Sequence, residues 1–179
     1  AGFGTRFLPA TKNLPKEMFA ILDKPAIHYI IEEGIRSGIS DFVIVTNKTK
    51  SVIEDYFDFC PELDIFLESK NKEKLLADVN RILNFANFIY VRQKKPLGLG
   101  HAIKSAKHVF TKEHVAIFLP DDIIVSTTPA MSQLIKVAQQ EKCNVVAVQE
   151  VPLQDVSSYG IISVRKQFSP NLFQVKELV

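Results

Sequence analysis

Runs of β-branched and aromatic residues alternate along this chain with apolar positions at helical spacing, and that alternation is its strongest constraint. Strand-like runs lie at Phe42–Thr46, Phe88–Val91, Val115–Leu119, Val145–Gln149 and Ile161–Val164, with Phe173–Val179 a further candidate. The first four are continuous rather than alternating, the pattern of strands buried on both faces of a parallel sheet. Between them, Ile27, Ile30, Ile31, Gly34 and Ile35 mark one face of a helix, with Gly38 just past its expected end. Ile53, Tyr56 and Phe57 mark a short helix. Leu75, Leu76, Val79 and Ile82 mark the next, followed by Ile103, Ala106 and Phe110, and by Met131, Leu134, Ile135 and Ala138. This order predicts an α/β fold: a three-layer sandwich around a mostly parallel, Rossmann-like central sheet. With no linker or repeat, residues 1–179 read as a single domain.

Composition narrows the function classes. Lys+Arg is 22 against 20 Asp+Glu, a net charge of +2, too balanced for the cationic face of a nucleic-acid binder. No apolar run approaches the ~20 residues that span a bilayer, and no signal peptide is recognised. A cytoplasmic location is therefore expected. Cys60 and Cys143 stand far from any close Cys or His pair, which disfavours a structural zinc site.

Ligands of open parallel sheets bind at the carboxyl ends of strands. The loops after the strands, and the opening segment AGFGTRFLPATKNLPKEM, are the places to look. Gly2 and Gly4 let a backbone approach a phosphate closely, and Thr5 adds a hydroxyl. Arg6, Lys12 and Lys16 supply cations, with only Glu17 nearby as an acid, while Pro9 and Pro15 stiffen the segment. Glycines followed by cations suit a polyphosphate. The bland alternative is a glycine turn with solvated charges. The P-loop pattern is absent, and Phe7 stands where the dinucleotide fingerprint needs its third glycine, which argues against an NAD-dependent oxidoreductase.

The pattern G-x-G-T-R-x-x-P-x-T-K-x-x-P-K-E-M resembles the signature loop of sugar-1-phosphate nucleotidylyltransferases. Its P-K-E-M ending and Asp23-Lys24-Pro25 are most similar to bacterial members acting on UTP and glucose 1-phosphate. The resemblance implies that Ala1, Gly2, Gly4 and Thr5 wrap the nucleotide phosphates. Arg6 and Lys16 would stabilise charge on the transferring phosphoryl group and the leaving pyrophosphate. Tyr90-Val91-Arg92-Gln93 followed by Pro96-Leu97-Gly98-Leu99-Gly100-His101-Ala102 reads as strand, loop and helix start. The Gln93 amide, both donor and acceptor, can pair with a uracil edge, and the family uses this glutamine and the glycine at Gly98 against uracil. His101 reads as a helix-start residue held by packing or a local hydrogen bond. Nucleotidyl transfer asks no proton abstraction of it, since the attacking sugar phosphate is already ionised.

Phe118-Leu119-Pro120-Asp121-Asp122 ends an apolar run in a carboxylate. Mg²⁺ favours one or two carboxylates plus substrate phosphates, and the resemblance assigns the metal to Asp121. Tyr159 and Gly160, weak as a pair alone, match the family's contact with the hexose. Family members carry an apolar strand before A-G-x-G-T-R and a V-E-K-P motif beyond Glu-Leu-Val, so the chain is expected to be part of a domain, and Glu177 is not assigned to that motif. The implied reaction is UTP plus glucose 1-phosphate to UDP-glucose and pyrophosphate, assisted by Mg²⁺, in an enzyme that is a homo-oligomer at full length. Alternatives are a relative using dTTP or another sugar phosphate, or a chain that binds nucleotide without catalysis.

Overall fold

The computed structural model describes residues 1–179 other than positions 1, 3, 111–113 and 179; the Ala1 assignment thus lies outside the described residues. The chain divides into two compact units, Ala1–Cys143 and Asn144–Val179. In the first, the opening segment folds as short 3₁₀ turns at Thr5–Phe7, Ala10–Lys12 and Lys16–Met18. A small antiparallel hairpin follows, β1 (Ala20–Ile21) against β2 (Lys24–Pro25). It leads into α1 (Ala26–Arg36), β3 (Asp41–Thr46), α2 (Ser51–Tyr56), α3 (Pro61–Ser69), α4 (Glu73–Asn80), β4 (Asn87–Arg92), α5 (Leu99–Ser105) and α6 (Ala130–Glu141).

Helix α1 buries Ala26, Ile27, Ile30, Ile31 and Gly34, the face its spacing predicts. Its end is set by Gly38. At φ 82° this residue adopts the left-handed conformation, the Gly38 N–H donates to the Ile35 carbonyl at 2.9 Å, and the Ile39 N–H reaches the Gly34 carbonyl at 3.0 Å. These two bonds satisfy carbonyls that a helix end leaves open. Gly34 serves a different purpose. A Cβ there would lie 2.6 Å from Phe42 Cε1 and 3.5 Å from Phe118 Cζ, so the absent side chain is what lets β3 lie against the helix.

Strands β3 and β4 are parallel and in register from Asp41↔Asn87 to Thr46↔Arg92. The Phe42 and Phe88 rings stack at 5.8 Å, and Phe57, just past α2, stacks on Phe88 at 4.7 Å. Ile27, Ile31, Ile53, Ile82 and Ala86 complete this core. Each large apolar side chain buried there stabilises the unit by ~1.5–3 kcal/mol.

One ion pair is sealed inside this unit. The Lys50 ammonium, at the start of α2, donates to both Glu17 carboxylate oxygens at 2.7 and 2.9 Å. The two side chains are only 7% and 9% exposed. The pair joins the opening segment to the loop after β3.

The second unit carries a 3₁₀ turn at Leu153–Ser158 and an antiparallel hairpin, β5 (Ile162–Ser169) with β6 (Leu172–Leu178), whose register shifts between Ser163 and Val164, between Val164 and Lys166, and between Gln167 and Ser169.

The α/β class holds, and the predicted runs at 42–46, 88–91 and 161–164 become strands. The runs Val115–Leu119 and Val145–Gln149 do not: among the described residues neither forms a ladder. Both are apolar enough for strands, but a strand exists only through a hydrogen-bonded partner. Val115, Ile117, Val146 and Val148 remain exposed, so burial on both faces is not achieved. Among the described residues the parallel sheet is the β3–β4 pair, and the other two sheets are antiparallel hairpins.

Two stability outcomes are expected, both read by chemical denaturation. Gly34→Val should lower stability by about 1–3 kcal/mol, the cost of forcing a side chain into a filled space. Lys50→Met should cost about 3–5 kcal/mol by stranding a buried carboxylate, whereas Glu17→Leu combined with Lys50→Met should cost less than Lys50→Met alone.

Candidate active site

Three loops of the first unit follow apolar runs, two of which are the strands β3 and β4. Lys50 follows β3, Gln93 follows β4, and Asp121 follows the run 115–119. The opening segment is tied to two of them. Glu17 holds Lys50, as described, and the Lys16 ammonium forms an ion pair with the Asp121 carboxylate. Residues far apart in sequence thus meet where an α/β sheet binds its ligands.

The opening turn is organised from within. The Thr11 hydroxyl donates to the Gly4 carbonyl at 2.9 Å, and the Phe7 N–H donates to the same oxygen at 2.9 Å. Thr11 and Lys16 flank the left-handed Gly4, where a Cβ would lie 3.1 Å from Thr11 Cγ2 and 3.7 Å from Lys16 Cβ. Gly2, Thr5 and Arg6 are exposed, and Arg6 has no ion-pair partner among the described residues. The opening segment thus carries two cations of different status, Arg6 without an ion-pair partner among the described residues and Lys16 bound to a carboxylate.

The second cluster surrounds Gln93, whose N–H extends the sheet by donating to the Thr46 carbonyl at 2.8 Å. The residue is only 4% exposed. Its side-chain Nε2 lies 3.1 Å from the Gly98 carbonyl and 3.0 Å from His101 Nδ1. Gly98 has φ 88°, a conformation that disfavours any side chain, and the space beside it is open. It begins α5, and Gly100 is likewise unobstructed.

Asp121 is a lone, largely exposed carboxylate opposed by an ammonium. Among the described residues no three His, Cys, Asp or Glu side chains gather as a cage for a metal ion. A single carboxylate fits Mg²⁺ where water and phosphate oxygens complete the ion's shell, and here the Lys16 ammonium occupies that carboxylate.

Displaced proton affinities lie outside these clusters. Burial pushes His28 below its ordinary value; Glu32, at 3.3 Å, opposes this and Lys24 adds to it. Burial alone would raise Glu32, but the Lys24 ammonium at 2.9 Å and His28 outweigh it and hold the carboxyl low. The Tyr90 hydroxyl, buried without a hydrogen-bond partner among the described residues, is pushed up to about 12, first by burial and then by Asp58, Glu54 and Asp55.

Tyr159 and Gly160 belong to the second unit. Tyr159 follows the 3₁₀ turn in extended conformation, its N–H donating to the Val156 carbonyl, and both residues are exposed. The structure thus brings Lys16 to Asp121 and Gln93 to Gly98, while Tyr159 and Gly160 stand in a separate unit. The Glu17–Lys50 pair was not anticipated from the sequence. Its one signal was an isolated acid inside a cationic segment.

The nucleotidyl transferase family model matches residues 1–179. The chain is 49% identical over its full length to a UTP–glucose-1-phosphate uridylyltransferase of Bacillus subtilis, covering 60% of it. It is 52% identical over 90% of its length to one of Staphylococcus epidermidis, covering 56%. Among solved structures, a UDP-glucose pyrophosphorylase from Acinetobacter baumannii superposes with a TM-score of 0.92 at 38% identity, over the whole of this chain and 64% of that one. A UDP-glucose pyrophosphorylase complexed with UDP-glucose gives 0.87 at 39%, over the whole of this chain and 65% of that one. The chain therefore spans roughly three fifths of the length of these relatives. Its glycine-led opening segment, its carboxyl-edge loops and the match along its whole length agree: the chain belongs to the nucleotidyl transferase family.

Proposed function

We propose that this chain carries the nucleotide-binding part of an enzyme that makes UDP-glucose and pyrophosphate from UTP and glucose 1-phosphate. The observation that carries the reading is the meeting of Lys16, from the G-x-G-T-R…P-K-E-M segment, with Asp121 at the end of an apolar run. Relatives named for this reaction, and solved neighbours described as UTP-bound or complexed with UDP-glucose, support it. In this reading residues 1–179 form part of one three-layer, Rossmann-like nucleotide-binding domain.

The roles follow from the chemistry of the side chains. The Gly2–Arg6 segment, with Ala1 by the family resemblance, receives the UTP phosphates on backbone N–H groups and the Thr5 hydroxyl. Gln93 and the open backbone at Gly98 receive the uracil. Tyr159 and Gly160 contact the hexose. An oxygen of the sugar phosphate attacks the α-phosphorus in line, and the bond to the pyrophosphate oxygen breaks. Arg6 and Lys16 stabilise the negative charge that builds on the transferring group and the leaving group. Lys16 exchanges Asp121 for phosphate as the nucleotide enters. Asp121 would then hold Mg²⁺ together with phosphate oxygens, where the ion supplies charge neutralisation. No side chain is asked to form a covalent intermediate or to remove a proton.

A homo-oligomeric full-length enzyme and a cytoplasmic location go with this reading. Cys60 and Cys143 are free and exposed, as suits a reducing compartment. The second reading is nucleotide binding without turnover.

Pyrophosphate release with UTP, glucose 1-phosphate and Mg²⁺ tests the assignment. Release is expected, with Lys16→Ala lowering the rate by roughly 10²–10³, the size seen when one donor to a developing charge is removed. Near-normal turnover in Lys16→Ala would remove Lys16 from the chemistry. Chelation with EDTA and the substitution Asp121→Ala should each abolish release, and added Mg²⁺ should restore only the chelated sample. If release is absent but UDP-glucose binds by calorimetry, the binding-only reading takes its place.

A further inference from the structure

Gln93 has an amide that can face a base in either of two ways, oxygen first or nitrogen first. The two presentations select different bases. A uracil or thymine ring offers an N–H at N3, whereas cytosine offers a lone pair there. An amide free to rotate accommodates both, so a site that distinguishes them has to hold the amide one way round.

The surroundings of Gln93 do this. The Gly98 carbonyl, 3.1 Å away, can only accept, so the atom facing it is the donor, Nε2. That nitrogen has a second hydrogen, and His101 Nδ1 lies 3.0 Å from it. An NH₂ group only donates, so Nδ1 accepts and carries no hydrogen, and the imidazole proton sits on Nε2. Both Gln93 hydrogens are thereby committed. For Oε1 no partner is found among the described residues. With the residue almost wholly buried, the amide has little room to turn. His101 is itself held by the first turn of α5, where the Ser105 hydroxyl donates to its carbonyl at 2.8 Å.

We infer that His101 is a positioning residue that locks the Gln93 amide oxygen-outward, so that the site accepts bases with an N3–H and disfavours cytosine. The inference rests on the uracil contact proposed for Gln93 and gives it a cause. It also assigns His101 a part in base selection without any part in the chemistry. The lock does not separate uracil from thymine, which present the same N–H.

Two measurements test it. Long-range nitrogen–proton correlation spectra of the ligand-free chain, at slightly alkaline pH, report the His101 tautomer. The expected result is a bare Nδ1 with a coupling across the hydrogen bond to the Gln93 side-chain nitrogen. A hydrogen on Nδ1 overturns the inference, whether or not any variant folds. Calorimetric titration with UTP, dTTP and CTP gives the selectivity. UTP and dTTP should bind in strong preference to CTP, and His101→Phe should narrow the UTP-to-CTP ratio by about tenfold, the size of one hydrogen bond lost from a buried polar group. His101→Gln, whose side-chain oxygen can accept the same bond, should restore the ratio. An unchanged ratio in His101→Phe overturns the inference. If the unaltered chain binds no UTP, the proposed function fails instead, and the tautomer alone decides whether His101 orients Gln93.

Discussion

The ion pair between Glu17 and Lys50 anchors the opening segment of this chain to its fold. Moving two charges out of water is costly, and their attraction offsets that cost only when the geometry is close and the hydrogen bonds are made. Here both carboxylate oxygens accept from one ammonium. The turns of the opening segment are single 3₁₀ turns whose side chains are mostly exposed, and the pair joins the buried Pro15 and the core-packed Met18 in holding it. A buried charge cannot leave its partner without severe loss, so the segment is tied at Glu17, and its neighbour Lys16 is placed beside Asp121. The buried pair and the pair proposed to act on the nucleotide sit on adjacent residues.

The pair needs a rigid platform, and the platform is aromatic. Phe42, Phe57 and Phe88 stack across β3, β4 and the end of α2, while the bare backbone at Gly34 brings α1 against them. Parallel pairing in register then brings the carboxyl ends of β3 and β4 side by side. Lys50 and Gln93, which follow these ends, inherit their positions from the ladder. A slip of that register by one residue would send every side chain of the slipped strand to the other face.

Much of this was legible in the residues, for definable reasons. Helix α1 announced itself through an apolar stripe and a glycine stop, which are local properties. The runs that became β3 and β4 were legible because β-branched and aromatic residues suit a packed sheet whatever surrounds them. The runs at 115–119 and 145–149 have the same composition and form no ladder among the described residues, since composition cannot supply a partner. Helix α3 was missed because its apolar spacing is weak: Leu63, Ile65 and Phe66 stay exposed and only Leu67 is buried. In the site, glycines, cations and the Gln93–Gly98 spacing were visible as motifs. The partner of Glu17 was not, because 33 residues separate it from Lys50 and no pattern links them.

The sequence by itself determined the chemical inventory and its order: a glycine-led cationic opening, an amide before an open glycine loop, a carboxylate after an apolar run. Local propensity and side-chain chemistry suffice for that, since each feature lies within a few residues. Only the tertiary structure decided which of these meet. It set Lys16 against Asp121 across 105 residues, sealed Glu17 against Lys50, and turned the Gln93 amide with a carbonyl and an imidazole nitrogen. The physical reason is that pairing between distant charges and donors depends on strand register and on burial. Both are properties of the packed chain rather than of any stretch of it.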